Sequence, residues 1–165
     1  MPPLIIAFAV IAGLLVLVAV LPKLEVRLPR RYRDIIYVRF RRGGIRIDVY
    51  GGNPVRKTAE KTVEWDDADA AAFARDGMPV DLTRAAQAVR REIRPFGRFP
   101  FPPIVVLHPI ERALAGLDTE DRRSMNRLGA DLAGERALVG DLPTIFPDRA
   151  FQELRTHGLA PWNES

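Results

Sequence analysis

His108 stands just before Pro109 and at the end of an apolar run, Ile104-Val105-Val106-Leu107, where α/β sheets place functional groups. An imidazole there could move a proton, but general acid–base work needs a nucleophile or a second titrating group within reach. The neighbouring sequence offers none, so a structural hydrogen-bonding role is the plainer reading. His157 precedes Gly158 in a polar stretch and reads as solvated. Asp66-Asp67-Ala68-Asp69 has the look of a calcium loop, yet it lacks the sixth-position glycine and the distal glutamate of such loops. It reads instead as the acidic start of a helix, and so does Glu120-Asp121. Gly43-Gly44 and Gly51-Gly52 fall in turns, and neither G-x-G-x-x-G nor G-x-x-x-x-G-K-[ST] occurs anywhere. Ser124 and Ser165 are the only serines, neither within G-x-S-x-G, and the chain has no cysteine. Disulfides, thiolate zinc sites, iron–sulfur clusters and cysteine nucleophiles are thereby removed, and the shortage of nucleophiles argues against a hydrolase. The expectation is a chain with no catalytic residue, no metal site and no cofactor.

The charge pattern is more informative than the candidate chemistry. Over 165 residues the formal net charge is +4, with 47% hydrophobic and 28% charged residues, within the range of one folded domain. Residues 1–22 carry no charged side chain, 23–61 carry a net +8, and 62–165 a net −4. Leu4 to Leu21 is an unbroken run of 18 apolar residues ending at Pro22. As a helix it covers about 27 Å, close to a hydrocarbon core of roughly 30 Å. A cleaved signal peptide would want a basic start, a shorter apolar stretch and a small-residue cleavage site. Met1-Pro2-Pro3 and Ala19-Val20-Leu21-Pro22 supply neither flank, so a retained transmembrane helix over 4–21 is the expectation.

Lys23, Arg27, Arg30, Arg31 and Arg33 follow within about a dozen residues, the distance over which positive charge sets orientation. Residues 22–34 therefore read as a basic juxtamembrane segment, with those five side chains at anionic headgroups and the rest of the chain cytoplasmic. The Arg31-Tyr32-Arg33 and Arg39-Phe40-Arg41-Arg42 interleaving could also suit nucleic acid, but no recognised nucleic-acid motif follows and that reading is the weaker one. Ala9 and Gly13, four residues apart, offer a small face for packing against another membrane helix, set against ordinary transmembrane composition.

The elements that must position any site follow from periodicity. Ile35–Phe40 and the strictly alternating Ile45–Tyr50, joined through Arg41-Arg42-Gly43-Gly44, predict a β-hairpin. Thr62–Trp65 reads as a third strand and Asp66–Arg75 as a short helix stopped by Gly77. A second helix opens at Asp81, with Leu82, Ala85, Ala86, Val89 and Ile93 as its apolar stripe, and ends before Pro95. Residues 95–103, rich in proline and phenylalanine, read as a rigid crossover plugging the core, with a polyproline ligand as the lesser alternative. Ile104–Leu107 predicts a strand buried on both faces. Thr119–Ala133 predicts a helix with Asp118 or Thr119 at its cap and Met125, Leu128 and Leu132 inward, closed by Gly134. Arg136–Val139 reads as another buried strand and Pro147–Arg155 as a helix carrying Phe151 and Leu154 inward. The order predicts an α/β domain over 35–157 with one mixed sheet, a hairpin-led meander joined to a parallel crossover, and a loose tail at 158–165.

Pro102-Pro103-Ile104-Val105-Val106-Leu107-His108-Pro109, then Gly116-Leu117-Asp118-Thr119-Glu120-Asp121-Arg122-Arg123 and a helix into Arg136-Ala137-Leu138-Val139, is similar to the first subdomain of rod-shape-determining bacterial actins (MreB-like proteins). In that family a strand of the form P-x-V-V-I-x-x-P leads to a helix start of the form G-x-T-x-x-E-R-R. Arg122 and Arg123 fall on the arginine pair and Asp121 stands near the glutamate, over a resemblance covering about residues 34–140. It implies an actin-like subdomain. The family's ATP site also needs a D-x-G-T hairpin, a second phosphate loop and a second large subdomain, and these 165 residues hold none of them. Phosphoryl transfer needs cradle, magnesium ligands and positioned water together. The resemblance thus implies a scaffold without the engine, in the inner membrane of a bacterial cell. The functional expectation is a single-pass, non-enzymatic scaffold or adaptor binding another protein in envelope or cell-shape machinery. An accessory subunit of a membrane enzyme or transport complex is the alternative.

Overall fold

The computed structural model describes residues 33–52, 54–97, 102–140, 145 and 147–157. The apolar run 4–21, most of the basic segment, parts of the proline-rich crossover and the tail 158–165 lie outside the described residues. Among those described, no helix is long and apolar enough to cross a membrane.

β1 (Ile35–Arg41) and β2 (Gly44–Gly51) form the expected hairpin, pairing antiparallel from Ile35 opposite Tyr50 to Arg41 opposite Gly44. Two residues, Arg42 and Gly43, make the turn, and Gly43 takes a φ of 75°, open to glycine without steric cost. β3 (Arg56–Glu64) pairs antiparallel to β2 and begins six residues before the strand expected at Thr62. Its side chains are mostly exposed and charged, so hydrophobic alternation, the signal that marks a half-buried strand, is weak there. The register slips between Val49 and Tyr50, a bulge that adds twist to this outer strand.

The helix expected over Asp66–Arg75 is corrected to one turn, α1 (Asp67–Ala70). Asp66 caps it by accepting from the Asp69 amide at 2.8 Å, as its acidic start implies. The chain then tightens, because Phe73 is drawn inward onto Trp65, with ring centroids 4.9 Å apart and planes 2° from parallel. A short antiparallel bridge from Phe73 to Pro79 closes this loop. α2 (Leu82–Ile93) opens where Asp81 accepts from the Arg84 amide, and buries Ala85, Ala86, Ala88, Val89 and Ile93.

β4 (Ile104–Pro109) lies parallel to β1 with every residue buried. α3 (Ile110–Ala115), which periodicity did not signal, follows at once and buries only Ala113. α4 (Thr119–Ala133) starts in a reciprocal capping box between Asp118 and Asp121 and buries Met125 and Leu128. β5 (Ala137–Val139) then pairs parallel to β4, and α5 (Pro147–His157) closes the described chain.

The sheet order is β3-β2-β1-β4-β5, with β2 alone running against the rest. It is an α/β domain built on one mixed five-stranded sheet. One face packs Ile36, Val38, Phe40, Ile45, Ile47 and Val49 against residues of α2 and α4. The other packs Ile35, Tyr37, Tyr50, Ile104, Val106 and Leu138 against Phe151 and Leu154 of α5. The sequence pattern assigned only the first of these faces of β2 to the core.

Gly44 is the tightest point of the sheet. A Cβ built there would sit 2.1 Å from the carbonyl oxygen of Val63, which is backbone and cannot rotate away. Gly44→Ala is therefore expected to cost about 2–3 kcal/mol by forcing β2 and β3 apart. Gly43→Ala, with open space around the same atom, is expected to cost about 1 kcal/mol from its positive φ alone. Chemical denaturation of the two variants checks the order; equal losses would mean the β2–β3 contact is not tight.

Candidate functional site

The second face of the sheet changes character along its length. Towards the starts of β1 and β4 it is apolar and covered by α5. Towards their ends the same pleat positions carry Arg39 and His108, with Asp48 and Arg46 on β2 and Lys57 and Glu60 on β3. The strand register sets Arg39 between Arg46 and His108 and puts Asp48 opposite Glu60, while Lys57, opposite Tyr50, reaches Asp48 and Glu60 through its side chain.

Asp48 is wholly buried, and with His108 it is one of two buried polar side chains among the described residues. Its Oδ2 accepts from Arg39 Nη2. Its Oδ1 lies 3.5 Å from Arg46 Nε and 3.7 Å from Lys57 Nζ. Three cations thus surround one carboxylate, each reaching it from a different strand or register position. Arg46 and Lys57 reach outward as well: Arg46 Nη2 donates to Glu60 Oε2 at 3.1 Å, and Lys57 Nζ donates to the same oxygen. The two cations hold the Glu60 carboxyl below its ordinary range, Lys57 through its hydrogen bond and charge and Arg46 through its charge.

His108, singled out by its position at a strand end, is 2% exposed, and its Nδ1 shares a hydrogen bond with the Tyr37 hydroxyl. Burial pushes the Tyr37 phenol well above the ordinary tyrosine range, a shift that the Arg39 guanidinium over its ring partly opposes. The pair is a buried structural link between β1 and β4, in keeping with the plainer reading of His108. Its consequence is a weakness in alkali. An ordinary tyrosine titrates near 10. Above that pH the unfolded chain gives up the phenolic proton while the folded one keeps it, so stability is full below about pH 10 and falls as pH rises beyond it. Tyr37→Phe is expected to lower stability at pH 7 by about 1–2 kcal/mol and to flatten the decline between about pH 10 and 11.5. Urea titrations across that range check it, and an unchanged alkaline slope would assign the decline elsewhere.

The crevice beyond the strand ends, between β1 and β4, is where open α/β sheets bind ligands. There Glu111 of α3 accepts from the Arg42 amide in the hairpin turn at 3.0 Å. No group of three or more histidine, aspartate or glutamate side chains suited to a metal ion occurs among the described residues. Asp66, Asp118 and Asp121 cap helices, Asp69 pairs with Arg91, and Arg112 binds Asp121 at 2.6 Å. Arg122 is half-buried and Arg123 exposed near the start of α4. Of the expected headgroup contacts, Arg33 is half-buried two residues before β1, while Lys23, Arg27, Arg30 and Arg31 lie outside the described residues, as does the His157 side chain.

The Asp48 cluster was missed by sequence reasoning. Arg46 and Asp48 alternate with Ile45, Ile47 and Val49, which is the pattern of a solvent face. The available signal was the match of basic residues on three adjoining strands to a single acid, and it needs the register to be read. No known protein-family pattern matches this chain, and no curated protein matches it in sequence.

Proposed function

We propose that the chain is a single-pass membrane-anchored scaffold or adaptor, not an enzyme, whose α/β domain faces the cytoplasm and binds another protein. One observation carries the reading: 18 uncharged apolar residues, Leu4–Leu21, are followed by Lys23, Arg27, Arg30, Arg31 and Arg33 against the single acid Glu25 before Arg33. A lysine or arginine at the centre of a span costs about 2.5–3.5 kcal/mol on insertion scales, so that collar stops at the surface and sits at anionic headgroups. The link to rod-shape-determining bacterial actins, and with it an inner-membrane, cell-shape setting, is part of this proposal and is supported by the pattern over residues 34–140. The alternative, an accessory subunit of a membrane enzyme or transporter, is favoured by the Ala9–Gly13 spacing, and fixed-stoichiometry co-purification in mild detergent would establish it.

A reporter active only in the cytoplasm, fused after Ser165, is expected to work, and one active only outside is expected to be silent. Glutamine at Lys23, Arg27, Arg30, Arg31 and Arg33 together should weaken that preference. Labelling of the wild-type C-terminus from outside intact cells overturns the orientation. Micromolar, magnesium-dependent ATP binding by calorimetry overturns the non-enzymatic reading.

A further inference from the structure

We propose that Arg46 and Lys57 form a receiving site for a dianionic phosphate group, and that Glu60 is a built-in carboxylate competing for it. The site goes beyond membrane anchorage and does not depend on it.

Three observations place it there. Arg46 Nη2 and Lys57 Nζ converge on one oxygen, Glu60 Oε2, so the donors for an oxyanion are already aimed at a single point. Glu60 itself is 55% exposed on the outer strand and has open solvent to swing into. Beneath them, the buried Arg39 Nε donor makes no hydrogen bond, and Arg46 Nε has only the ion-pair contact to Asp48 Oδ1 at 3.5 Å. Folded proteins rarely leave buried donors short of an acceptor, and the oxygens of an oxyanion are acceptors.

The charge count selects the class of ligand. Arg39, Arg46 and Lys57 face Asp48 and Glu60, one positive charge in excess. When Glu60 swings out, the excess becomes two. A phosphate monoester or inorganic phosphate dianion neutralises that, whereas a carboxylate, carrying one charge, merely replaces Glu60. Asp48 acts as a positioning residue: it holds Arg46 and Lys57 from below at 3.5 and 3.7 Å and keeps their outer nitrogens in place. The second ionisation of a phosphate monoester lies near pH 6 and that of inorganic phosphate roughly a unit higher, so binding of either should strengthen between pH 6 and pH 8, while Glu60 stays ionised throughout.

The test uses the full chain, isotope-labelled in phosphatidylcholine nanodiscs, titrated with inorganic phosphate at constant ionic strength. Saturable amide shifts at Asp48, Lys57 and Glu60 are expected, with no comparable response to acetate. Glu60→Gln removes the competitor and should tighten phosphate binding about three- to fivefold, the scale of one exposed ion pair. Lys57→Gln in that background should abolish saturation and Lys57→Arg should keep it. Should the variant carrying both Glu60→Gln and Lys57→Gln fail to fold, the Glu60→Gln and Lys57→Arg results alone decide. Nanodiscs carrying phosphatidic acid separate the sources: the same shifts without added phosphate assign the site to a lipid headgroup, and shifts only with free phosphate assign it to a soluble compound. Unchanged or weaker binding in Glu60→Gln, an equal response to acetate, or no saturation in either protein overturns the proposal. The reporter fusions are indifferent to every one of these outcomes.

Discussion

Asp48→Ala is expected to destabilise the domain by about 3–5 kcal/mol, the cost of leaving a buried charge without its partner. The damage falls on Arg39. Its guanidinium is hydrogen-bonded to Asp48 Oδ2, its side chain is only 26% exposed, and it stacks over the Tyr37 ring at 5.4 Å. Arg46 and Lys57 lose less, because both still reach Glu60. The loss should be partly reversible: Arg39→Met in the same chain removes the stranded charge and keeps a long apolar stem over Tyr37. A double-mutant cycle is expected to return a coupling above about 1 kcal/mol between Asp48 and Arg39. Denaturant unfolding of the four proteins in detergent measures it. A loss below about 0.5 kcal/mol for Asp48→Ala would show that this cluster does not hold the middle of the sheet.

The same residue shows what the sequence could and could not disclose. The β-hairpin, the helix capped by Asp81 and the helix capped by Asp118 were legible because each carries two local signals that agree, periodicity and a cap or turn, and the strand at Ile104 because its apolar run is continuous. β3 was legible only at its C-terminal end, where Val63 and Trp65 are apolar. Its first six residues hold their place by pairing with β2, a cross-strand contact that leaves no apolar pattern in the strand itself. α1 read as longer because Ala70, Ala71 and Ala72 favour a helix. The burial of Phe73 onto Trp65 and Phe40 outweighs that preference of a few tenths of a kcal/mol per residue. Asp48 was illegible for a related reason. An acid alternating with isoleucines belongs on a solvent face, and only the convergence of Arg39, Arg46 and Lys57 across three strands makes its burial tolerable. His108 was found by position, and its meaning came from Tyr37, 71 residues away in the chain.

Phe151→Ala is expected to cost about 3–5 kcal/mol, and to do so unevenly through the domain. The ring is wholly buried, edge-on to Tyr37 at 5.4 Å and to Tyr50 at 4.9 Å. Each such contact adds about 0.5–1.5 kcal/mol beyond the area it buries. With Leu154 it forms the inner surface of α5, and the Gln152 side chain of that helix accepts from the Val55 amide at 3.3 Å. The opposite face of the sheet has its own core under α2 and α4 and shares none of these side chains. Truncating Phe151 should therefore loosen α5 first. Amide exchange is expected to accelerate through Ala150–Leu154 and at Val55 while Val38, Val89 and Leu128 keep their protection. Phe151→Leu, which refills most of the space, should cost less than about 1.5 kcal/mol and spare that pattern. Uniform loss of protection across both faces would mean that the two cores unfold as one, and that α5 is part of the cooperative unit rather than a cover laid on the sheet.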